Sequence, residues 1–298
     1  VLFRFLFLKM SKKSNKTILI SFFDAIREFL REGAYFHGAA LAYYTLFALI
    51  PLLYLTIITF GKIFGQEVCI SAFTSIFQKN IGISDISVFT NYLKNLNTQS
   101  SSWSLNIGMI IALLYSCSAF MVSLKFSMND FFNIKKQKRE SINVLMDLLK
   151  FRFLAVAYLA FFALIIFISY FLQIFAVSFL ENWVTSNFGN LHFGFVFLHH
   201  LLSITINLLI ISFIFKFVHD GSITWSLVFK GALITSLLLF VSQLLIKYYL
   251  QNYFFLGKSD VVGTMFILMA WVFYSAQVIF FGAKFTYVYG RDHHDLPQ

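Results

Sequence analysis

Long apolar runs alternate with short polar ones from Phe36 almost to the end of the chain. A helix needs roughly 20 consecutive apolar residues to cross the hydrocarbon layer. The pattern predicts six such spans, about His37–Phe60, Trp103–Met128, Phe153–Leu180, Phe193–Phe217, Trp225–Leu250 and Val261–Tyr289. Strict apolar/polar alternation is absent, so the spans read as helices rather than barrel strands. The expected fold is all-α: a polytopic membrane bundle of six transmembrane helices, with an N-terminal interfacial helix and a helical outer loop.

Two segments break the pattern. In Thr17–Glu32 ("TILISFFDAIREFLRE"), Ile18, Phe22, Ile26 and Phe29 share one helical face, and Asp24, Arg27, Glu28 and Arg31 fall mostly opposite. That is the signature of an amphipathic helix lying on a membrane surface. Gly61–Ser102 reads as a loop of two short helices and a polar turn, "NTQSSS". The expected organisation is therefore a disordered or mis-assigned N-terminus over 1–16, the surface helix over 17–32, a membrane domain over 33–290 with its outer loop at 61–102, and a tail over 291–298. The run "VLFRFLFLKM" is too short for a span and lacks a small-residue cleavage site, so it is a poor signal peptide. Whether translation starts at Val1 or Met10 stays open.

Composition agrees. The 298 residues are 59% hydrophobic and only 12% charged, with a mean hydropathy of +0.78. A soluble domain carries about 25% charged residues. Placing the "KKQKR" cluster on the cytoplasmic side leaves only Lys62, Lys79, Lys94, Lys247 and Lys258 of the 23 lysines and arginines on the other side. The positive-inside bias then puts both termini in the cytoplasm, for a multi-pass membrane protein. The net charge of +10 needs no nucleic acid to explain it. Lys135, Lys136, Lys138 and Arg139 suit anionic lipid at that face. The bilayer is the expected partner, and self-association is left open. Cys69 and Cys117 form no motif, and the 41 phenylalanines read as compositional bias more readily than as an aromatic cavity.

Catalytic chemistry finds little footing. No carboxylate lies mid-span, and His199 and His200 are adjacent, so a helix points them about 100° apart. No phosphate loop, nucleophile elbow or metal spacing occurs. No cofactor and no enzymatic activity are expected. The remaining chemistry is polar groups within spans: Asn207, Gln243, Gln277, and the lysines Lys125, Lys247 and Lys284, whose plainer reading is snorkelling. Asn129 and Asp130 stand at the end of the second span.

The first span concentrates unusual features. "FHGAALAYYTLFALIPLL" opens on His37 and carries Gly38, Ala39, Ala42 and Thr45 at spacings of three to four, the pattern of close helix contact. Tyr43, Tyr44 and Thr45 are consecutive. Pro51 removes a backbone hydrogen bond and is expected to bend or interrupt the helix. Broken, polar spans often line substrate sites. A kinked packing helix is the competing reading. Spans one and five both begin "GA", and "YSCSAFMVSLKF" echoes "YSAQVIFFGAKF", so either a parallel repeat or chance likeness of apolar segments relates them.

"GAALAYYTLFALIPLL" resembles the first-span signature of the YihY / virulence factor BrkB family, once labelled ribonuclease BN. "MVSLKFSMNDFFNI", "ITWSLVFKGALITSLLLF" and "WVFYSAQVIFFGAKFTYVYG" resemble later segments of it, and the likeness covers about Arg31–Gly290. The resemblance implies six inner-membrane spans with cytoplasmic termini. Two departures stand out: Lys284 occupies a position where many members have glutamate, and no proline precedes Trp225. The expected function is transport or export of a solute or lipid. The residues expected to line the path are His37, Tyr43, Tyr44, Thr45, Pro51, Asn129, Asp130, Asn207, Gln243, Gln277 and Lys284. An envelope-integrity or virulence-associated scaffold acting through the 61–102 loop is the alternative. A tRNA-processing nuclease using Asp130 or Asp147 is the least favoured.

Overall fold

A computed structural model describes residues 18–68, 70–71, 103–134, 192–252 and 261–293, with residues 152, 154, 157 and 158 besides. Six helices are described: α1 (Ile18–Arg31), α2 (Ala34–Phe64), α3 (Trp103–Phe131), α4 (His192–Phe217), α5 (Trp225–Asn252) and α6 (Val261–Asp292). Leu154, Ala157 and Tyr158, from the third predicted span, are helical, as is Arg152 just before it. No strand occurs among the described residues. The rest of that span, most of the 61–102 loop, the Lys135–Arg139 cluster, the tail beyond His293 and the chain before Ile18 lie outside them. Asn106–Phe131, His200–Phe217, Trp225–Ile246 and Met265–Asp292 are each long and apolar enough to cross a membrane. The molecule is a helical membrane bundle.

α6 is the central helix and packs on α1, α2, α3 and α5; α2 also packs on α3, and α4 on α5. α2 and α5 begin at the end of the bundle where α1 lies, and α3, α4 and α6 finish there. The fully buried Phe131, Phe215, Phe280, Met128, Leu227 and Val228 gather near this α1 end. Phe131 stacks on Phe280 at 5.2 Å and meets Phe29 of α1 at 5.6 Å. Within hydrocarbon, burying such rings gains little, because lipid is as apolar as the core. Close backbone approach and polar pairing must therefore decide which helices associate.

Two glycine contacts supply the close approach. In α5, Gly231 faces the Thr286 side chain of α6; in α6, Gly282 faces the Thr235 side chain of α5. Each threonine is fully buried and donates to the carbonyl of the glycine four residues before it, Thr235 to Gly231 and Thr286 to Gly282, both at 2.7 Å. "GALIT" and "GAKFT" thus interlock reciprocally. A third contact sets Gly38 of α2 against Gln277 of α6, whose amide donates to Ala34 O at 3.1 Å.

Three expectations need correcting. Pro51 does not interrupt α2, which runs unbroken through it for 31 residues. A proline deletes one donor, and the remaining ladder carries the helix across it, as transmembrane helices tolerate. Ala39 is not on the contact face: it is exposed, and Ala34, Gly38, Leu41 and Ala42 are buried instead. α1 is not divided simply into lipid and water faces. Ser21, Ala25 and, in part, Phe22, Glu28 and Phe29 pack inward, while Ile18, Leu19, Ile20, Phe23 and Leu30 are exposed. Gly33, at φ +64, turns the chain from α1 into α2 in a left-handed conformation that costs glycine little.

Candidate functional site

Polar side chains collect at the α1 end in three linked groups. Asn133, at φ 54, closes α3 with a Schellman pair: Ile134 N–H donates to Asn129 O at 2.8 Å and Asn133 N–H to Asp130 O at 2.9 Å. This cap fixes the last turn of α3, from which Asn129 and Asp130 project. Asn133 also donates to the Tyr287 hydroxyl of α6 at 2.9 Å.

The first group joins α3 to the α4–α5 turn. Asn129 donates to Asp220 Oδ2 and accepts from the Asp220 N–H, each at 2.9 Å. Lys125 pairs with Asp220 Oδ1 at 2.6 Å. Beside them His219 is buried, tilted on Phe132 at 4.8 Å, with Nδ1 accepting from Gly221 N–H at 3.0 Å and Nε2 unpartnered. Burial pushes the His219 ring below its ordinary value, and the Lys216 ammonium acts in the same direction. The unfolded chain then takes up a proton first, so stability falls as pH drops below about 6.5 until the folded ring also titrates. His219→Gln is expected to flatten that slope, read as thermal midpoints of purified wild type and variant at about pH 7.5 and 5.5.

The second group joins α2 to α3. His37 Nδ1 lies 2.9 Å from Ser127 Oγ, and Nε2 lies 3.3 Å from Asp130 Oδ2. Phe126, Phe131 and Phe280 surround the ring at 5.1–6.2 Å. Ser127 Oγ is also 2.8 Å from Ser123 O. A hydroxyl has one proton to give. When it goes to Nδ1, the ring is neutral and Nε2–H points at Asp130. When it goes to Ser123 O, Nδ1–H donates to Ser127 and a second proton lies between Nε2 and Asp130. Rotation of one hydroxyl thus accommodates the gain or loss of one proton. Ser127 is buried, so it is poorly placed as a nucleophile.

The third group ties α1 to α6. Lys284 Nζ is 2.5 Å from Glu32 Oε1 and 3.4 Å from Glu28 Oε2, with the Tyr287 ring 5.0 Å away. Arg291 pairs with Glu28 at 2.9 Å, and Ser21 donates to Asp292 at 3.0 Å. Only 3% of the Lys284 side chain is exposed, which overturns the snorkelling reading. The partner carboxylates come from α1 (Glu28) and the turn just after it (Glu32), close enough that Lys284 need not reach water.

A groove of about 400 Å³ opens between α2 and α3, lined by Ala40, Tyr44, Tyr115, Ser118, Ser123 and Phe126. Arg152 also lines it, its guanidinium 5.2 Å from the centre of the Tyr115 ring. Phe126 and Ser123 belong to both groove and histidine group, so the two are contiguous.

Among the residues expected to line a path, His37, Asn129 and Asp130 come together at the α1 end, and Tyr44 lines the groove. Tyr43 is exposed and packs on Phe47 at 4.6 Å. Thr45 donates to Leu41 O within its own helix at 2.8 Å. Pro51 is buried farther along α2. Gln277 bonds to Ala34 O and so cannot give that donor to a tyrosine. Asn207 and Gln243 are half-buried on α4 and α5, away from the polar groups. Ser127, Asp220, Glu28, Glu32 and Arg152 were not singled out from sequence. Only the charge of Arg152 beside an apolar span pointed that way. Among the described residues no three His, Cys, Asp or Glu side chains converge as a metal site would require.

The family model described as Virulence factor BrkB matches residues 25–298. The chain belongs to the virulence factor BrkB family. No curated protein and no solved structure matches it. For this BrkB family chain, the match takes in five of the six described helices whole and the C-terminal part of α1. Glu28 and Glu32 fall inside it together with their partner Lys284.

Proposed function

We propose that this BrkB family chain is a non-enzymatic inner-membrane protein of six spans, with both termini cytoplasmic, that moves or exports a solute or lipid. One observation carries the reading: a groove beside α2 and α3 adjoins a histidine that meets a serine hydroxyl on one side and an aspartate on the other. Proton-carrying pairs inside or at the edge of a span are the usual means of coupling transport to a gradient. The expected mechanism links occupancy of the groove, felt through Phe126, to the charge on His37 and Asp130.

Purified protein in liposomes, with and without a pH gradient, tests this against ions, amphiphiles and labelled lipids. Flux is expected to depend on the gradient. His37→Gln and Asp130→Asn should each lower it by about 10²-fold, as proton-transfer groups commonly do when removed, while the protein stays folded. No flux for any substrate class, or gradient-driven flux unchanged in both variants, counts against the reading.

A further inference from the structure

We infer that the α2–α3 groove is a binding site for an anionic lipid, with Arg152 holding the phosphate and the apolar walls holding an acyl chain. The inference rests on the transport reading for the groove's purpose and names its ligand class. Arg152 is the one charged residue among the described lining residues. Tyr115, over whose ring its guanidinium sits, lies about 24 Å along α3 from the Phe131 end. That is well beyond the turn where the other polar groups gather. Arg152 is exposed along this groove, where its guanidinium can meet a ligand. Among the described residues no carboxylate lines the groove, and an anionic ligand supplies the complementary charge.

The shape of the site selects among anions. Ala40, Ala119, Val122 and Phe126 make an apolar wall, with Ser118, Ser123 and Tyr44 as neutral polar points. Val122, Phe126 and Tyr115 are 44–60% exposed, so the groove opens sideways along an apolar surface. A small hydrated anion would have to shed its water against such a wall. A lipid phosphate arrives already tethered to a chain that fits it. Arginine suits this role because its planar fork bonds two phosphate oxygens at once.

The test uses the full chain in phosphatidylcholine nanodiscs, with phosphatidylglycerol spin-labelled on its acyl chain as probe and labelled phosphatidylcholine as control. Wild type should immobilise phosphatidylglycerol preferentially. R152Q should weaken that class about ten-fold, the loss of one charge-assisted pair, and R152K should retain part of it. A119F, which fills the groove and leaves the arginine in place, should remove it too. Thermal midpoints of all variants report folding. Preference unchanged in folded R152Q or in A119F overturns the inference. So does displacement of the probe by millimolar inorganic phosphate, which would assign the site to a soluble anion. Binding is read without flux: a groove that holds lipid in a protein that moves none overturns the transport reading and leaves this site standing.

Discussion

Gly231→Leu is expected to remove nearly all folded protein from the membrane. Even a single methyl at this position would overlap Thr286, whose Cβ and Cγ2 lie 2.8 and 2.9 Å from where it would sit. Thr286 cannot turn aside easily, because a β-branched side chain is stiff at χ1 and its hydroxyl is held by Gly282 O. The helices must separate instead. Separation also loosens the mirror contact of Thr235 on Gly282, since the same two helices carry both. Overpacking ordinarily costs about 1–3 kcal/mol; a leucine wedged between two backbones that both rely on glycine belongs at or above the top of that range. The measurement is the monodisperse fraction after detergent extraction. The specific prediction is the exchange: Gly231→Ala paired with Thr286→Gly should recover most of what Gly231→Ala loses. If the exchange recovers nothing, the contact is not what holds α5 to α6.

Lys284→Met is expected to release α1 from the bundle. The ammonium is buried, and its removal leaves Glu28 paired with Arg291 and takes from Glu32 its lysine partner. Breaking a fully buried pair costs about 3–5 kcal/mol. The glutamates are about one-third exposed, so the loss here should sit near the bottom of that range. The spans should still insert, because their apolar length is unchanged. Hydrogen exchange should then rise across Ile18–Arg31 and stay low in α6. Lys284→Glu should be worse, gathering three carboxylates, and adding Glu32→Lys should restore part of the protection. Uniform exchange rates in α1 across these variants would show that Phe22, Phe29 and their aromatic partners hold it alone.

The helices were largely legible because a span must be long, apolar and satisfied by its own backbone. Expected starts at Trp103, Trp225 and Val261 match α3, α5 and α6. The observed ends run past the expected ones, to Phe131, Asn252 and Asp292, since helical hydrogen bonding continues after hydropathy falls. α1 differs from its expected range by one residue at each end. Pairing was much harder to read. Hydropathy scored Lys284 and Glu28 separately, one as a snorkelling lysine and the other as a water-facing acid, and nothing local links residues so far apart. Of the two Gly-Ala-x-x-Thr strings, only Gly231-Ala232 belongs to the "GA" echo between spans one and five, and Gly282-Ala283 stands outside it. A shared Gly-Ala-x-x-Thr pattern carries no local sign that the two strings touch each other. His37 and Asp130 were noticed as isolated polar residues, and only the antiparallel packing of α2 on α3 makes them a pair.

The salt bridge between Glu32 and Lys284 also has a timetable. The two residues are 252 positions apart in the chain. At about 5–20 residues per second, α1 leaves the ribosome roughly 10–50 s before its partner is made. During that interval its glutamates lack Lys284, and Phe29 has Phe131 of α3 to pack on but not yet Phe281 of α6. The ion-paired docking of α1 is therefore complete only after α6 has been synthesised. A chain stalled before Lys284 leaves both glutamates without that lysine, and only the completed chain closes the pair.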